Sequence, residues 1–152
     1  MRRAMVPDEI KNELLKITFR YWRAHLNVPV GEISHGEFAV MQVIHHFPKE
    51  RPEEKGIGTA RLAAEVHSSP PAVSRILNTL EEKGCIVRET DPDNRRRTRI
   101  ILTEKGEKIR QRGCELSGDY FDRVFDRMGK DRMLQFLSMW KELVEIMENN
   151  EA

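Results

Sequence analysis

Two cysteines in 152 residues are too few for the disulfide frameworks of small secreted domains. Cys85 falls at the apolar start of an expected strand and Cys114 within an expected helix. No base or helix N-terminus is evident beside either, so both are expected to be reduced, structural residues rather than sensors. The chain has no apolar run long enough to cross a bilayer. Its start, Met1 to Asp8, has no apolar core of a secretory signal. No membrane association and a cytoplasmic location are therefore expected. An excess of charge is missing too. The net charge is +1, with 34% charged and 39% hydrophobic residues, which excludes a uniformly basic nucleic-acid coat and leaves room only for a local basic patch. Phosphate-loop, H-E-x-x-H, C-x-x-C and nucleophile-elbow patterns are absent. His45 and His46 are neighbours that project about 100° apart on a helix, so they do not chelate one ion. No nucleophile–base pair or metal set can be assembled, and neither enzymatic activity, a metal nor a cofactor is expected.

What the chain does have is concentrated between Ser68 and Thr103. Ser69 is a good N-cap, and Pro70 stands at the first helical position, where a missing N–H costs nothing. Val73, Ile76, Leu77 and Leu80 form one apolar stripe at helical spacing. The opposite stripe is small, polar and basic: Pro71, Ser74, Arg75 and Asn78. Glu81, Glu82 and Lys83 read as a solvated last turn, and Gly84 as the left-handed stop. A short strand, Cys85 to Glu89, follows. Asp91-Pro92-Asp93-Asn94 is turn chemistry, and Arg95, Arg96, Arg97 and Arg99 load the hairpin tip and its return. Ile100 to Leu102 completes a second strand. A helix with a polar face, followed at once by an arginine-tipped hairpin, suits a major groove about 12 Å wide with the tip on the backbone or the adjacent minor groove.

This stretch resembles the MarR (multiple antibiotic resistance regulator) family of bacterial and archaeal transcription factors. Ser69-Pro70-Pro71-Ala72-Val73-Ser74-Arg75 and Leu80-Glu81-Glu82-Lys83-Gly84 match its recognition helix. Asp91 to Arg96, running on into Leu102-Thr103-Glu104-Lys105-Gly106, matches its wing. The family's D-x-R-x-x-R wing pattern falls on Asn94, Arg96 and Arg99; Asn94 stands where the family usually has an aspartate that pairs with an arginine. The resemblance implies a dimeric winged helix-turn-helix. It also implies a small aromatic or phenolic effector between the dimer helices and the DNA lobe, where Trp22, His35, Phe38 and Met41 are candidate lining residues. Peroxide-sensing relatives carry their cysteine near the first helix, and this chain has none there.

The rest of the chain fits that layout. Asp8 to about Leu26 is helical, with Ile10, Leu14, Ile17 and Tyr21 on one apolar face and Leu15, Phe19 and Trp22 on a second; two faces imply two packing partners. Ser34-His35-Gly36-Glu37 is a capping box, with Ile33 and Phe38 as its hydrophobic staple. The helix it opens is expected to end at Phe47, before Pro48. Ile57 is expected to add a single residue to the wing sheet, and Thr59 to Val66 to form a short helix leading into the recognition helix. Thr103 caps a long helix to about Met128, Gly129 breaks it, and a last helix runs from Lys130 to Asn149. The expected fold is thus mainly α, an α+β winged helix-turn-helix of about six helices with a small antiparallel wing. It forms a single domain over residues 1–152, with a DNA-binding lobe at 33–103 and a helical dimerisation lobe at 8–28 and 104–149.

The expected function is a sequence-specific DNA-binding regulator, a ligand-responsive repressor acting as a homodimer on a palindromic operator in double-stranded DNA. Ser69, Pro70, Pro71, Ser74, Arg75 and Asn78 are the expected major-groove set, with Arg75 the base reader. Asn94, Arg95, Arg96, Arg97 and Arg99 form the wing set, with Arg96 in the minor groove and the other arginines holding phosphates or bracing the wing. The alternative is a winged-helix interaction module whose basic hairpin meets an acidic protein.

Overall fold

The structure is a computed structural model that describes residues 7–54, 56–91 and 98–149. In chain order the elements are α1 (Asp8–His25), α2 (His35–Glu50), α3 (Thr59–Glu65), α4 (Pro70–Glu82), β1 (Ile86–Thr90), β2 (Thr98–Leu102), α5 (Glu104–Met128) and α6 (Lys130–Asn149). The architecture is the expected one: six helices and a two-stranded antiparallel sheet among the described residues. The strands pair from Ile86 opposite Leu102 to Thr90 opposite Thr98, and Ile57 joins their sheet by a single bridge to Ile100.

Local chemistry sets most of the element ends. Ser34 and Glu37 form both arms of the capping box that starts α2: the Glu37 N–H donates to Ser34 Oγ at 3.1 Å, and the Ser34 N–H donates to Glu37 Oε2 at 2.7 Å. Ser69 Oγ accepts from the Ala72 N–H at the start of α4, with Pro70 just inside. Gly84, at φ +70°, turns the chain out of α4. The Cys85 N–H then reaches Leu80 O at 2.8 Å and the Gly84 N–H reaches Glu81 O at 2.9 Å, the paired closing bonds that satisfy the last carbonyls of a helix. The α3–α4 turn uses the same closure with His67 in the left-handed position at φ 49°, where glycine is the usual residue.

One helix end departs from expectation. The second helix does not stop before Pro48 but carries it inside the last turn and runs to Glu50. Proline removes the bond its own N–H would have made and crowds the carbonyl four residues back, but its fixed φ is compatible with helix; the Arg51 N–H still closes on Phe47 O at 3.0 Å. The first strand begins at Ile86 rather than Cys85.

The interior lies within the winged unit. Val40, Met41 and Ile44 of α2, Leu62 and Ala63 of α3, and Val73, Leu77 and Leu80 of α4 meet Ile57, Cys85, Ile86 and Ile100 in one cluster. The start of α5 is locked onto this unit by Thr103, whose N–H donates to Cys85 O at 3.0 Å and whose hydroxyl donates to Gly84 O at 2.7 Å. The approach is so close that a Cβ on Gly106 would stand 1.9 Å from Cys85 O. By contrast, α1 and α6 bury no residue at all. Phe19, Trp22 and Met139 are 72%, 64% and 70% exposed, and Ile10, Leu15, Leu137 and Met147 are exposed with them. No helix among the described residues is long and apolar enough to cross a membrane.

Candidate nucleic-acid interface

The expected major-groove residues share the outer face of α4. Val73, Leu77 and Leu80 are buried on its inner side; Ser69, Pro70, Pro71, Arg75 and Asn78 are exposed, and Ser74 is half-buried. A helix held by an internal stripe and presenting proline, serine, arginine and asparagine outward can lie in a groove without losing core contacts.

The C-terminal half of that helix is tied to other elements by charged contacts. Lys83, expected to be merely solvated, donates to Glu37 Oε1 at 2.6 Å, joining the end of α4 to the first turn of α2. Glu37 is buried. Burial alone would raise its carboxyl pKa, but the Lys83 ammonium and the Ser34 hydrogen bonds outweigh this and hold it below the ordinary carboxylate value. On the outer side, Arg88 of β1 donates to Asn78 Oδ1 at 2.6 Å and pairs with Glu81 Oε2 at 3.3 Å. Neither contact was expected from sequence. A strand register that returns Arg88 beside the helix it has just left is the feature that places it there.

In the wing, Arg99 was expected to hold phosphate or to brace the hairpin. Its side chain is 14% exposed and is ion-paired to Asp91, itself 12% exposed, which is the bracing geometry. Asp91 thus provides an acidic partner for an arginine although Asn94 departs from the family pattern. Asn94, Arg95, Arg96 and Arg97 lie outside the described residues.

One of the four expected effector residues is enclosed in the core. Met41 is fully buried in the core, because its side of α2 faces α4 and the sheet, so it is corrected to a core residue. Trp22 stands exposed on α1. His35 Nε2 is 2.8 Å from Val28 O, and the Phe38 ring lies against α5 so closely that a Cβ on Gly113 would come within 2.8 Å of it. A cleft of about 790 Å³ lies elsewhere, between the end of α2, the start of α3 and β2, lined by Phe47, Gly58, Arg61, Asp91 and Arg99 among others.

A polar network joins α2 to α5. Arg110, 5% exposed, donates to Glu107 Oε1 at 2.6 Å and to Gln42 Oε1 at 2.8 Å. His45 Nδ1 lies 2.9 Å from Glu107 Oε2, and Lys49 Nζ lies 2.7 Å from His45 Nε2. A lysine ammonium only donates, so Nε2 is the acceptor and Nδ1 carries the proton toward Glu107. Burial, with Arg110 and Lys49 nearby, lowers the His45 pKa below its ordinary value despite Glu107. The Arg110 hydrogen bond leads in lowering that of Glu107. Cys114 Sγ is 3.2 Å from Arg110 Nη1 and 3.4 Å from Gln42 Nε2, so a cationic neighbour missing from the sequence-based picture does stand beside this thiol. Burial raises the pKa of Cys85. Among the described residues no group of three or more His, Cys, Asp or Glu side chains is placed to hold a metal ion.

Residues 33–98, which span α2 through the first residue of β2, match the MarR family. A solved structure of MarR is 29% identical to this chain, with a TM-score of 0.66, covering 91% of this chain and 97% of that one. Over residues 33–98 the chain is similar to the MarR family. The match and this likeness support a DNA-binding transcriptional regulator on a winged-helix scaffold. Further likenesses support the fold. A structure of the transcriptional repressor CouR bound to a 23-mer DNA duplex is 22% identical, with a TM-score of 0.69 over 93% of this chain and 99% of that one. The transcriptional regulator BldR from Sulfolobus solfataricus is 17% identical, with a TM-score of 0.70 over the same shares. These likenesses do not favour the acidic-protein module.

Proposed function

We propose that this chain is a ligand-responsive repressor that binds a palindromic operator in double-stranded DNA as a homodimer. Residues 33–103 form the DNA-binding lobe, and residues 8–28 and 104–149 the dimerisation lobe. The reading rests on one observation above all: the winged unit closes its own core, while α1 and α6 leave their large apolar side chains outside. A second copy covering those arms sets two α4 helices side by side, and half-sites one helical turn apart require them about 34 Å apart. Ser69, Pro70, Pro71, Ser74, Arg75 and Asn78 then face the major groove. Arg75 is the exposed cation at the centre of that face and the base reader, since arginine pairs bidentately with guanine. Arg96 enters the minor groove, Arg95 and Arg97 hold phosphates, and Arg99 braces the wing through Asp91.

A small aromatic effector acting beside Trp22, His35 and Phe38, where α1 approaches the start of α2, would change the angle between the two lobes. Spreading them by a few ångströms loses register with the half-sites, so a modest difference in affinity between the two dimer forms is enough. The role is regulatory rather than catalytic, and the chain works where the DNA is, in the cytoplasm. Selection of bound duplexes from a random library at about physiological salt tests this reading. An inverted repeat with half-sites about one turn apart is the expected result, and a folded protein that enriches no sequence would overturn it.

A further inference from the structure

We infer that Arg88 is a specificity-determining positioning residue: by holding the Asn78 carbonyl oxygen toward itself, it leaves the Asn78 NH2 as the leading group toward DNA and disfavours the bidentate pairing that selects adenine. The inference rests on the reading above, in which the outer face of α4 enters the major groove.

A free asparagine amide offers an oxygen that accepts and an NH2 that donates, and this pair matches the N6 amino group and N7 of adenine, the usual asparagine target. Here Arg88 Nη2 stands 2.6 Å from Asn78 Oδ1. A guanidinium has no acceptor, so the amide atom facing it must be the oxygen, whichever way the side chain might otherwise have been oriented. The oxygen keeps a second lone pair, but its orientation is set by Arg88 rather than by a base, so the NH2 is the group Asn78 leads with in the groove. It can donate to O6 or N7 of guanine or to O4 of thymine, but toward the N6 amino group of adenine it brings a donor against a donor.

Arg88 is held in this role from its other side. Its Nε lies 3.3 Å from Glu81 Oε2, one turn beyond Asn78 on the same helix, and its side chain is 32% exposed. Glu81 offsets its charge and fixes its plane, and a planar, pre-organised guanidinium loses little freedom in making both contacts. Arg88 therefore differs from Arg75, which is exposed on the same helix face and for which no such brace is seen among the described residues. The division of labour is that Arg75 reads directly while Arg88 sets how its neighbour reads.

The test is duplex selection from a random library with the full chain and three variants, Asn78→Ala, Arg88→Ala and Arg88→Lys, each checked for folding by thermal melting. Arg88 lies outside the core cluster, so its replacement should leave that packing intact, and the lysine variant retains charge and a donor for Oδ1. Wild-type protein should disfavour adenine at one position per half-site, and Asn78→Ala should flatten the preference at that position. Arg88→Ala should raise adenine there about tenfold, a step expected when a bidentate amide contact becomes available, with the other positions unchanged. Arg88→Lys should keep the wild-type preference. Several results would overturn the inference: adenine already selected there by wild type, no position flattened by Asn78→Ala, or an Arg88→Ala variant that weakens all sequences equally, which would make Arg88 a phosphate contact. Failure of the wild-type protein to enrich any sequence is a different result; it would overturn the DNA-binding reading itself and this inference with it.

Discussion

The winged unit and the helical arms are both rich in apolar residues but differ in where those residues end up. In the winged unit, Met41, Ile57, Leu62, Val73, Leu77 and Leu80 are sealed from solvent within one chain. In the arms, Phe19, Trp22, Leu134, Leu137 and Met147 remain exposed. Contiguous apolar surface of this kind marks an interaction surface, and the arms flank the winged unit in sequence on both sides. The first region is a finished fold; the second, in the reading proposed above, is completed by another copy.

The largest expected effect separates the two regions directly. Leu77→Ala removes a fully buried side chain and should cost about 2–5 kcal/mol, seen as a melting temperature lowered at every protein concentration. Leu137→Ala should lower the melting temperature only in a concentration-dependent way, because it weakens association rather than the chain's own core. Equal, concentration-independent losses for the two would erase the distinction between the regions.

Next in size is Gly106→Ala, at the junction between them. The new Cβ would collide with the Cys85 carbonyl, a backbone atom that cannot rotate aside, and the start of α5 must shift away from the winged unit. A loss on the order of 3 kcal/mol is expected in denaturant unfolding. A variant as stable as wild type would show that the close approach is not needed.

Acidification should reach the same junction and the α2–α4 clamp more gradually. His45 titrates below its ordinary 6.5 in the folded chain, so the unfolded chain takes up that proton first, and stability falls as pH drops through and below about 6.5. Glu37 and Glu107 titrate below the ordinary 4.5. The unfolded chain again binds protons first, and stability falls further as pH drops below that value. Denaturation midpoints should thus be level above neutrality and decline in two stages on the acid side, with His45→Gln flattening the first. A midpoint that rises between pH 7 and 5 would contradict the neutral, Lys49-accepting state of His45.

The smallest effects concern DNA alone. Arg75→Ala should cost about 1–3 kcal/mol at particular base positions, whereas Arg96→Ala should weaken most sequences alike and reduce the salt dependence of binding. Identical profiles for the two variants would remove the distinction between reading helix and wing.

Much of the fold was legible because its signals are local. Ser34 with Glu37, Ser69 with Pro70, Gly84 and Gly129 each declare a helix end through neighbours within a few residues, and the Val73, Leu77 and Leu80 stripe declares the inner face of α4. Pro48 misled because a proline in a last turn costs one hydrogen bond and need not end the helix. The site was less legible for a different reason. Glu37 with Lys83, Asn78 with Arg88, and His45 with Glu107 and Arg110 are partners on different elements. A charged residue in an exposed pattern carries no mark of the strand or helix that will return beside it. Met41 shows the converse: an apolar residue near a plausible cleft was assigned to the cleft, when the pairing of α2 with α4 buries it.

Sedimentation equilibrium of the chain, alone and with its selected duplex, addresses the unfinished arms most simply. Two 17.8 kDa chains travelling together at micromolar concentration, and two per duplex, are predicted, with Leu137→Asp reducing the free protein to single chains. A wild-type chain that sediments singly and still binds the duplex one-to-one would contradict the claim that the arms are completed by a second copy.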